Sequence, residues 1–360
     1  MPHSLTDTNL RLLEGKIRAL GDTAYFDQRV IEYLGSLQKI IAALLKPVAP
    51  IPNPIRDFMA REIWRGVQFL AGSAMRLQPF EAVFGLQAAA KDWLAKDVLI
   101  ITALIQEHNF FFAGIHPWFR EIAEKLLSIK LEEDVVQVAL PEIYRHKPLF
   151  SVALYHEFGH FIDRRFQVST NVELLYPELV LPSLSAKPPA WTEEKYQEAR
   201  RSHLREFFAD LFAASYTGGA YKRFLDDFAA DADITASHPR TGDRIEVIRA
   251  LVDGRPHVVI DAFQTALRAR RCPGLDLRYE LPSVGNAFDH MHTVTLESVR
   301  QVHGVLEAGW EYLDQAADCP AERWRQVEER DAERIANDLV AKSIRNWMIR
   351  GQWDHAATAS

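Results

Sequence analysis

The chain has few cysteines, no long apolar run and no excess of positive charge. Only Cys272 and Cys319 occur among 360 residues, too few for a disulfide scaffold, so a reducing compartment fits better than secretion. The most apolar segments, 40–45 and 98–105, are far shorter than the ~20 residues that a membrane-spanning helix needs. A net charge of −7 argues against nucleic acid binding over the whole surface.

The first residues also lack the basic start and the apolar stretch of a signal peptide. We therefore expect a cytoplasmic protein with no membrane span and no nucleic acid partner. The basic run 268–271 is expected to be a solvated helix end. Hydrophobic residues make up 48% of the chain, which is ordinary for a globular core.

One motif indicates a specific chemistry. His156-Glu157-Phe158-Gly159-His160 matches the pattern H-E-x-x-H. On a helix, positions i and i+4 share a face, so both imidazoles can bind one Zn²⁺ while Glu157 leans toward the open position of the metal. A metal-bound water with a pKa lowered toward ~7 is a usable nucleophile, and the glutamate can pass its proton to the leaving amine.

The residues around the motif predict a strand followed by a helix. Residues 134–140 are rich in β-branched side chains and end at Pro141, which is typical of a short strand. Residues 148–165 have no internal breaker and continue the apolar pattern through the motif. The sequence therefore predicts that the motif lies on a buried helix.

A third zinc ligand is expected beyond the motif, because a catalytic zinc takes three protein ligands and leaves one position open. Glu206 and Asp210 are spaced i, i+4 on an otherwise apolar helix. We expect Glu206 to bind the metal and Asp210 to accept the N–H of a ligand histidine, which fixes its tautomer. His203 shares the face of Glu206 and is a rival ligand.

Together these segments resemble a known group of enzymes. H-E-x-x-H at 156–160 followed by E-x-x-A-D at 206–210 is similar to the gluzincin arrangement of zincin metallopeptidases, above all to the family of prenyl-protein endopeptidases and bacterial heat-shock membrane peptidases. Residues 237–245, with Ser237-His238-Pro239 and Arg244-Ile245, resemble the S-H-P-x-x-x-x-R-I element of that family.

The resemblance covers roughly residues 130–252 and has two implications. It implies that His238 or Arg244 lies near the metal and binds substrate or stabilises the oxyanion. It implies that strand 134–140 is the edge against which an extended substrate pairs. The chain departs from the family in lacking its membrane helices and in the shorter spacing between the motif and Glu206.

Structural interpretations stand beside these functional ones. His156 and His160 could be core histidines, Glu206 could pair with Arg201 or Arg205, and Asp210 could be exposed. Ser237 could simply cap a helix, Pro239 could occupy its first turn, and His238 could lie between them. His290 and His292, spaced i, i+2, are expected at the surface.

The remaining pattern predicts a largely helical chain. The elements expected from periodicity and breakers are helices at 5–20, 23–46, 55–75, 79–95, 118–127, 294–315 and 321–349, and a buried strand at 98–105. We predict an α+β, predominantly helical fold: a helical N-terminal region (1–96), a zincin-like metal-binding core (97–254) and a helical C-terminal region (255–360).

These observations favour a zinc-dependent metallopeptidase that acts on a peptide or protein substrate. The alternative is a non-catalytic zinc domain that serves as a regulatory or interaction module. Glu157 separates the two, because a structural zinc site has no need of a general base. A third possibility is a helical protein in which the motif is fortuitous and no metal binds.

Overall fold

The computed structural model describes residues 5–132, 134–185, 188–318, 324 and 329–358. Contacts divide the chain into two compact units, the first made of Met1–Val83 and Leu94–Arg145, the second of Phe84–Trp93 and His146–Ser360. Residues 97–145 thus group with the N-terminal helices, whereas we expected them beside the H-E-x-x-H motif. The C-terminal region groups with the motif.

Helices make up most of both units. In chain order they are α1 (Leu5–Gly21), α2 (Arg29–Leu45), α3 (Asn53–Gly72), α4 (Phe80–Trp93), α5 (Pro117–Glu121), α6 (Val152–Phe166), α7 (Val168–Leu175), α8 (Glu193–Thr217), α9 (Gly219–Phe228), α10 (Thr241–Val252), α11 (Val258–Ala269), α12 (Gly285–Asp289), α13 (Val299–Asp318) and α14 (Glu329–Thr358). The strands are β1 (Val98–Ile105), β2 (Phe111–Gly114) and β3 (Asp134–Pro141).

The predicted class is confirmed: the protein is α+β and predominantly helical. Strand β1 has the predicted bounds, and the proline-rich stretch separates α2 from α3 as expected. Of the predicted helix 321–349, residues 321–323 and 325–328 lie outside the described residues, and α14 runs beyond its predicted end. Strand β2 was not predicted, because four half-buried residues carry too little periodicity to stand out from a loop.

The three strands of the first unit form one sheet in the order β1-β3-β2. Strand β1 pairs in parallel with β3 along its whole length, and β2 pairs antiparallel on the other side of β3. The expectation that β3 is an edge for an extended substrate is therefore wrong, since its backbone from Val136 to Ala139 is paired on both sides. Its buried apolar residues serve the core of this unit.

The second unit is built around α6 and α8. Helix α8 begins after Thr192, whose hydroxyl oxygen accepts a hydrogen bond from the backbone N–H of Lys195 at 3.2 Å. Two glutamates in its first turn complement the helix dipole. Its second half is apolar nearly all round and is buried, as expected of a helix enclosed by others. No helix among the described residues has both the length and the apolar character needed to cross a membrane.

Helices α6 and α8 touch backbone to backbone at one glycine. A Cβ atom built on Gly159 would lie 2.8 Å from the Cα of Ala209 and 3.1 Å from the Cβ of Phe212, closer than packed carbon atoms approach. The glycine is the fourth residue of the H-E-x-x-H motif, and Ala209 lies in the E-x-x-A-D segment. This contact therefore brings the ionisable residues of the two segments together.

We expect Gly159→Ala to destabilise the second unit by roughly 1–3 kcal/mol, the usual cost of overpacking a core. The matched control is Gly351→Ala on α14, where an added Cβ meets nothing within 4 Å. That change should stabilise the helix by up to ~1 kcal/mol, because alanine has the better helix propensity. Denaturant unfolding measures both, and a Gly159→Ala protein as stable as Gly351→Ala would contradict the close contact.

Candidate metal centre

Two histidines of α6 and one glutamate of α8 point their donor atoms at a common point. The Nε2 atoms of His156 and His160 lie 3.1 Å apart. Oxygen Oε2 of Glu206 lies 3.5 Å from Nε2 of His156, and Oε1 lies 3.4 Å from Nε2 of His160. These three residues form a cluster that could hold a metal ion. The structure thus brings the three predicted ligands together.

The distances between these donors match the size of a zinc site. Donors held at 2.0–2.1 Å from zinc in a tetrahedron stand about 3.3 Å from one another. The separations of 3.1, 3.4 and 3.5 Å scatter around that value. Two imidazoles and one carboxylate are also a donor set that catalytic zinc takes. The residues present therefore fit the metal that the resemblance implies.

One carboxylate oxygen of Glu206 in this cluster lacks a hydrogen bond. Glu206 is only 8% exposed, and its Oε2 forms no hydrogen bond with any residue that the structure describes. Nitrogen atoms of Arg244, His156 and His238 lie 3.4, 3.5 and 3.8 Å from Oε2 without forming a hydrogen bond. A buried carboxylate oxygen without a hydrogen bond is costly, so this atom is suited to a metal cation. The structural alternative, in which Glu206 pairs with Arg201 or Arg205, is not what the structure shows.

Asp210 lies directly behind His156 and is fully buried. Its Oδ1 is 3.0 Å from Nδ1 of His156, while Nε2 of that ring belongs to the donor cluster. Arg244 of α10 donates two hydrogen bonds to Asp210, at 2.8 and 2.6 Å. The hydroxyl of Tyr221 donates to Oδ1 of the same carboxylate at 2.9 Å. Such a carboxylate fixes the ring of a ligand histidine and its tautomer.

The charges of the metal-free cluster balance one another. Burial alone would lower the pKa of His156, but the nearby carboxylates of Asp210 and Glu206 outweigh burial and raise it to about 10. Burial and the positive charge on His156 lower the pKa of His160 to about 4. Protonated His156 and Arg244 thus offset two carboxylates. Since a ligand imidazole must be neutral, a divalent cation would replace the proton on His156.

The two candidates for contacting a substrate differ in exposure. Nε2 of His238 lies 3.8 Å from Oε2 of Glu206, and 56% of the His238 side chain is exposed. The guanidinium of Arg244 is 3.4 Å from the same oxygen but is buried. Of the two, His238 is the one that faces both the cluster and solvent. Glu157 follows His156 on α6 and is partly exposed.

The rival ligand His203 is not part of the donor cluster. Its Nε2 lies 2.8 Å from the carbonyl oxygen of Thr235 instead, and burial lowers its pKa. His290 and His292 are exposed, as predicted.

Tyr221 is the residue that sequence reasoning missed. It lies on α9, a separate helix from both motif segments, and its hydroxyl is also 2.9 Å from Nδ1 of His156. Burial and the carboxylate of Asp210 raise its pKa well above the usual value, so the hydroxyl stays protonated. No sequence signal marks this tyrosine, because a single aromatic residue on an amphipathic helix is ordinary core material.

Comparison of the chain with protein-family models, curated proteins and solved structures finds no match.

We expect Arg244→Met to destabilise the metal-free protein by roughly 3–5 kcal/mol, because it removes one of the two cations that offset the buried carboxylates and both of its hydrogen bonds to Asp210. Arg249 on the same helix pairs with Glu246 at 3.0 Å in an exposed position. Arg249→Met should cost far less, because an exposed ion pair contributes little to stability. Denaturant unfolding in a chelator compares the two variants, and equal losses would contradict the buried ion pair.

Proposed function

We propose that this chain is a zinc-dependent peptidase in which His156, His160 and Glu206 hold the metal and Glu157 is the general base. The observation that carries the proposal is the convergence of three donor atoms at 3.1–3.5 Å from two helices. The donors belong to the two sequence segments that resemble gluzincin peptidases. A fortuitous motif has no reason to be joined by a buried glutamate from a second helix.

The donor set supports a catalytic zinc over a structural one. Among the described residues the cluster has three members, and structural zinc sites normally have four protein ligands. The side chain of His160 is 23% exposed and His238 is largely exposed beside Glu206. A substrate can therefore approach the cluster from the side of His160 and His238.

Each residue of the site has a role that follows from its position. A bound zinc ion supplies Lewis acidity that makes water acidic enough to ionise near neutral pH. Glu157 would accept the proton of the attacking water and donate it to the leaving amine. Asp210, held by Arg244 and Tyr221, keeps Nδ1 of His156 engaged, so that Nε2 is the nitrogen left for the metal.

The substrate class is supported by the motif and by His238. The H-E-x-x-H and E-x-x-A-D segments resemble those of enzymes that cleave peptide bonds. The hydroxyl of Ser237 lies 2.9 Å from Nδ1 of His238 and forms a hydrogen bond with it. Nε2 of His238 is therefore left to contact the carbonyl oxygen of a substrate. We therefore propose a peptide or protein substrate.

We expect the chain purified without a histidine tag to bind close to one equivalent of Zn²⁺. His156→Ala, His160→Ala and Glu206→Ala should each lose most of it, because each removes one of three donors. Elemental analysis after dialysis measures the content. The control is His290→Ala, an exposed histidine outside the cluster, which should keep the full equivalent.

A full equivalent of zinc in His156→Ala or His160→Ala would remove these residues as ligands, and with them the proposed function. Zinc at parental levels in Glu206→Ala would remove only the third ligand.

We expect Glu157→Gln to keep its zinc and its fold while hydrolysis falls roughly 10²- to 10⁴-fold, because an amide cannot accept the proton of water. Mass spectrometry of a mixture of unstructured peptides incubated with each protein measures cleavage. Glu297→Gln, at an exposed position, should cleave as the parent does.

Cleavage by Glu157→Gln at the parental rate would contradict the assigned base. A parent that holds zinc yet leaves all such peptides intact would favour the regulatory alternative over the peptidase.

A further inference from the structure

His203 occupies a position that the proposed chemistry does not explain. It lies on α8 one turn before Glu206 and has no exposed surface. Its Nε2 is 2.8 Å from the carbonyl oxygen of Thr235. Because a carbonyl oxygen only accepts, Nε2 must carry the proton and donate this hydrogen bond. The helix that supplies the third metal donor therefore also holds a distant segment of the chain.

The segment held by His203 is a closed turn from Thr235 to His238. The N–H of Thr235 donates to the carbonyl oxygen of His238 at 3.0 Å. The N–H of His238 donates to the hydroxyl oxygen of Thr235 at 2.9 Å. Hydrogen bonds in both directions thus tie Thr235 to His238. Anchoring Thr235 consequently anchors His238.

The turn presents the imidazole of His238 to the donor cluster. Nδ1 is engaged by the hydroxyl of Ser237 at 2.9 Å, and Nε2 lies 3.8 Å from Oε2 of Glu206. Since the side chain is 56% exposed, its own packing holds it only weakly. The hydrogen bonds of the turn and its anchor at His203 therefore determine where Nε2 stands.

A purely packing role does not account for His203. Its Nδ1 is buried and has no hydrogen-bond partner among the residues that the structure describes. A buried polar nitrogen without a partner costs free energy that an apolar side chain of similar size would avoid. The histidine is explained by what its other nitrogen does, which is to hold the carbonyl of Thr235.

We propose that His203 is a positioning residue, which holds the turn 235–238 so that His238 stands at the substrate side of the His156, His160 and Glu206 cluster. This inference rests on the proposed function, because it assigns His203 a purpose only if the cluster binds a metal. The helix α8 then serves the site twice, through Glu206 as a ligand and through His203 as the anchor of the substrate-facing histidine.

Three variants test the inference in the full chain. His203→Gln keeps an N–H near the place of Nε2, whereas His203→Phe fills the space without a donor. Thr235→Val removes the hydroxyl that accepts from the His238 N–H and changes only an exposed residue. It therefore loosens the turn even if His203→Phe fails to fold.

The first measurement is the visible absorption of the protein loaded with Co²⁺, used because zinc has a filled d shell and no such spectrum. We expect His203→Phe and Thr235→Val to bind as much cobalt as the parent and to shift its spectrum as His238→Ala does. His203→Gln should keep the parental spectrum. In His203→Phe/His238→Ala the spectrum should change no further than in His238→Ala alone, since both changes act through one group.

The second measurement is hydrogen exchange at the backbone amides of Thr235 and His238. Losing one anchoring hydrogen bond should speed their exchange roughly threefold to tenfold in His203→Phe. His203→Gln should exchange as the parent does.

The outcomes separate this inference from the proposed function. A parent chain that takes up no cobalt would contradict the proposed function itself. A parent that binds cobalt, with His203→Phe matching it in both spectrum and exchange, would overturn only the role of His203. His203→Gln behaving like His203→Phe would mean that ring shape matters rather than the N–H donor, and it would overturn the inference too. So would a parental spectrum in His238→Ala or in Thr235→Val.

Discussion

The contact between Gly159 and Ala209 is the constraint on which the site depends. The backbones of α6 and α8 meet there, so residues a single position or one turn away on either helix come within a few ångströms of one another. His160 faces Glu206, and His156 faces Asp210, across the same crossing. Any larger residue at position 159 would push the helices apart and separate the donors. The small residue in the motif is therefore necessary for the geometry of the donor cluster.

The close packing of α6 and α8 buries the carboxylates of Asp210 and Glu206 in a low-dielectric interior, which costs free energy unless the charges are offset. Arg244 of α10 donates two hydrogen bonds to Asp210, and Tyr221 of α9 donates a third. Both groups engage Asp210 strongly and leave Oε2 of Glu206 without a hydrogen bond. The network thus satisfies the carboxylate of Asp210, which contacts Nδ1 of His156. It leaves one oxygen of Glu206, a member of the donor cluster, without a hydrogen bond. This asymmetry supports the proposed metal site, because a purely structural ion-pair network has no reason to keep it.

All the residues of the site belong to the second compact unit, and the sheet belongs to the first. The strand that precedes the motif in sequence was expected to serve substrate binding, yet its backbone is paired on both sides within its own unit. A β-branched run before an H-E-x-x-H helix predicts a strand, but only the strand order decides whether an edge is free. The turn 235–238, rather than a strand, supplies the element of the second unit that reaches the open side of the donors.

The sequence by itself predicted helices α1 to α4, α6 and α13, strands β1 and β3, and the three candidate donors, because these depend on local information: periodicity, breakers, and residues spaced i, i+4 on one face. It also singled out Asp210, His238 and Arg244 through their segments. Only the tertiary structure decided that Glu206 and not His203 joins the cluster, that Arg244 is buried behind Asp210 while His238 is exposed, and that Tyr221 takes part. These outcomes depend on how α8, α9 and α10 pack, and helix packing is set by contacts between residues far apart in the chain, which spacing along a single helix does not encode.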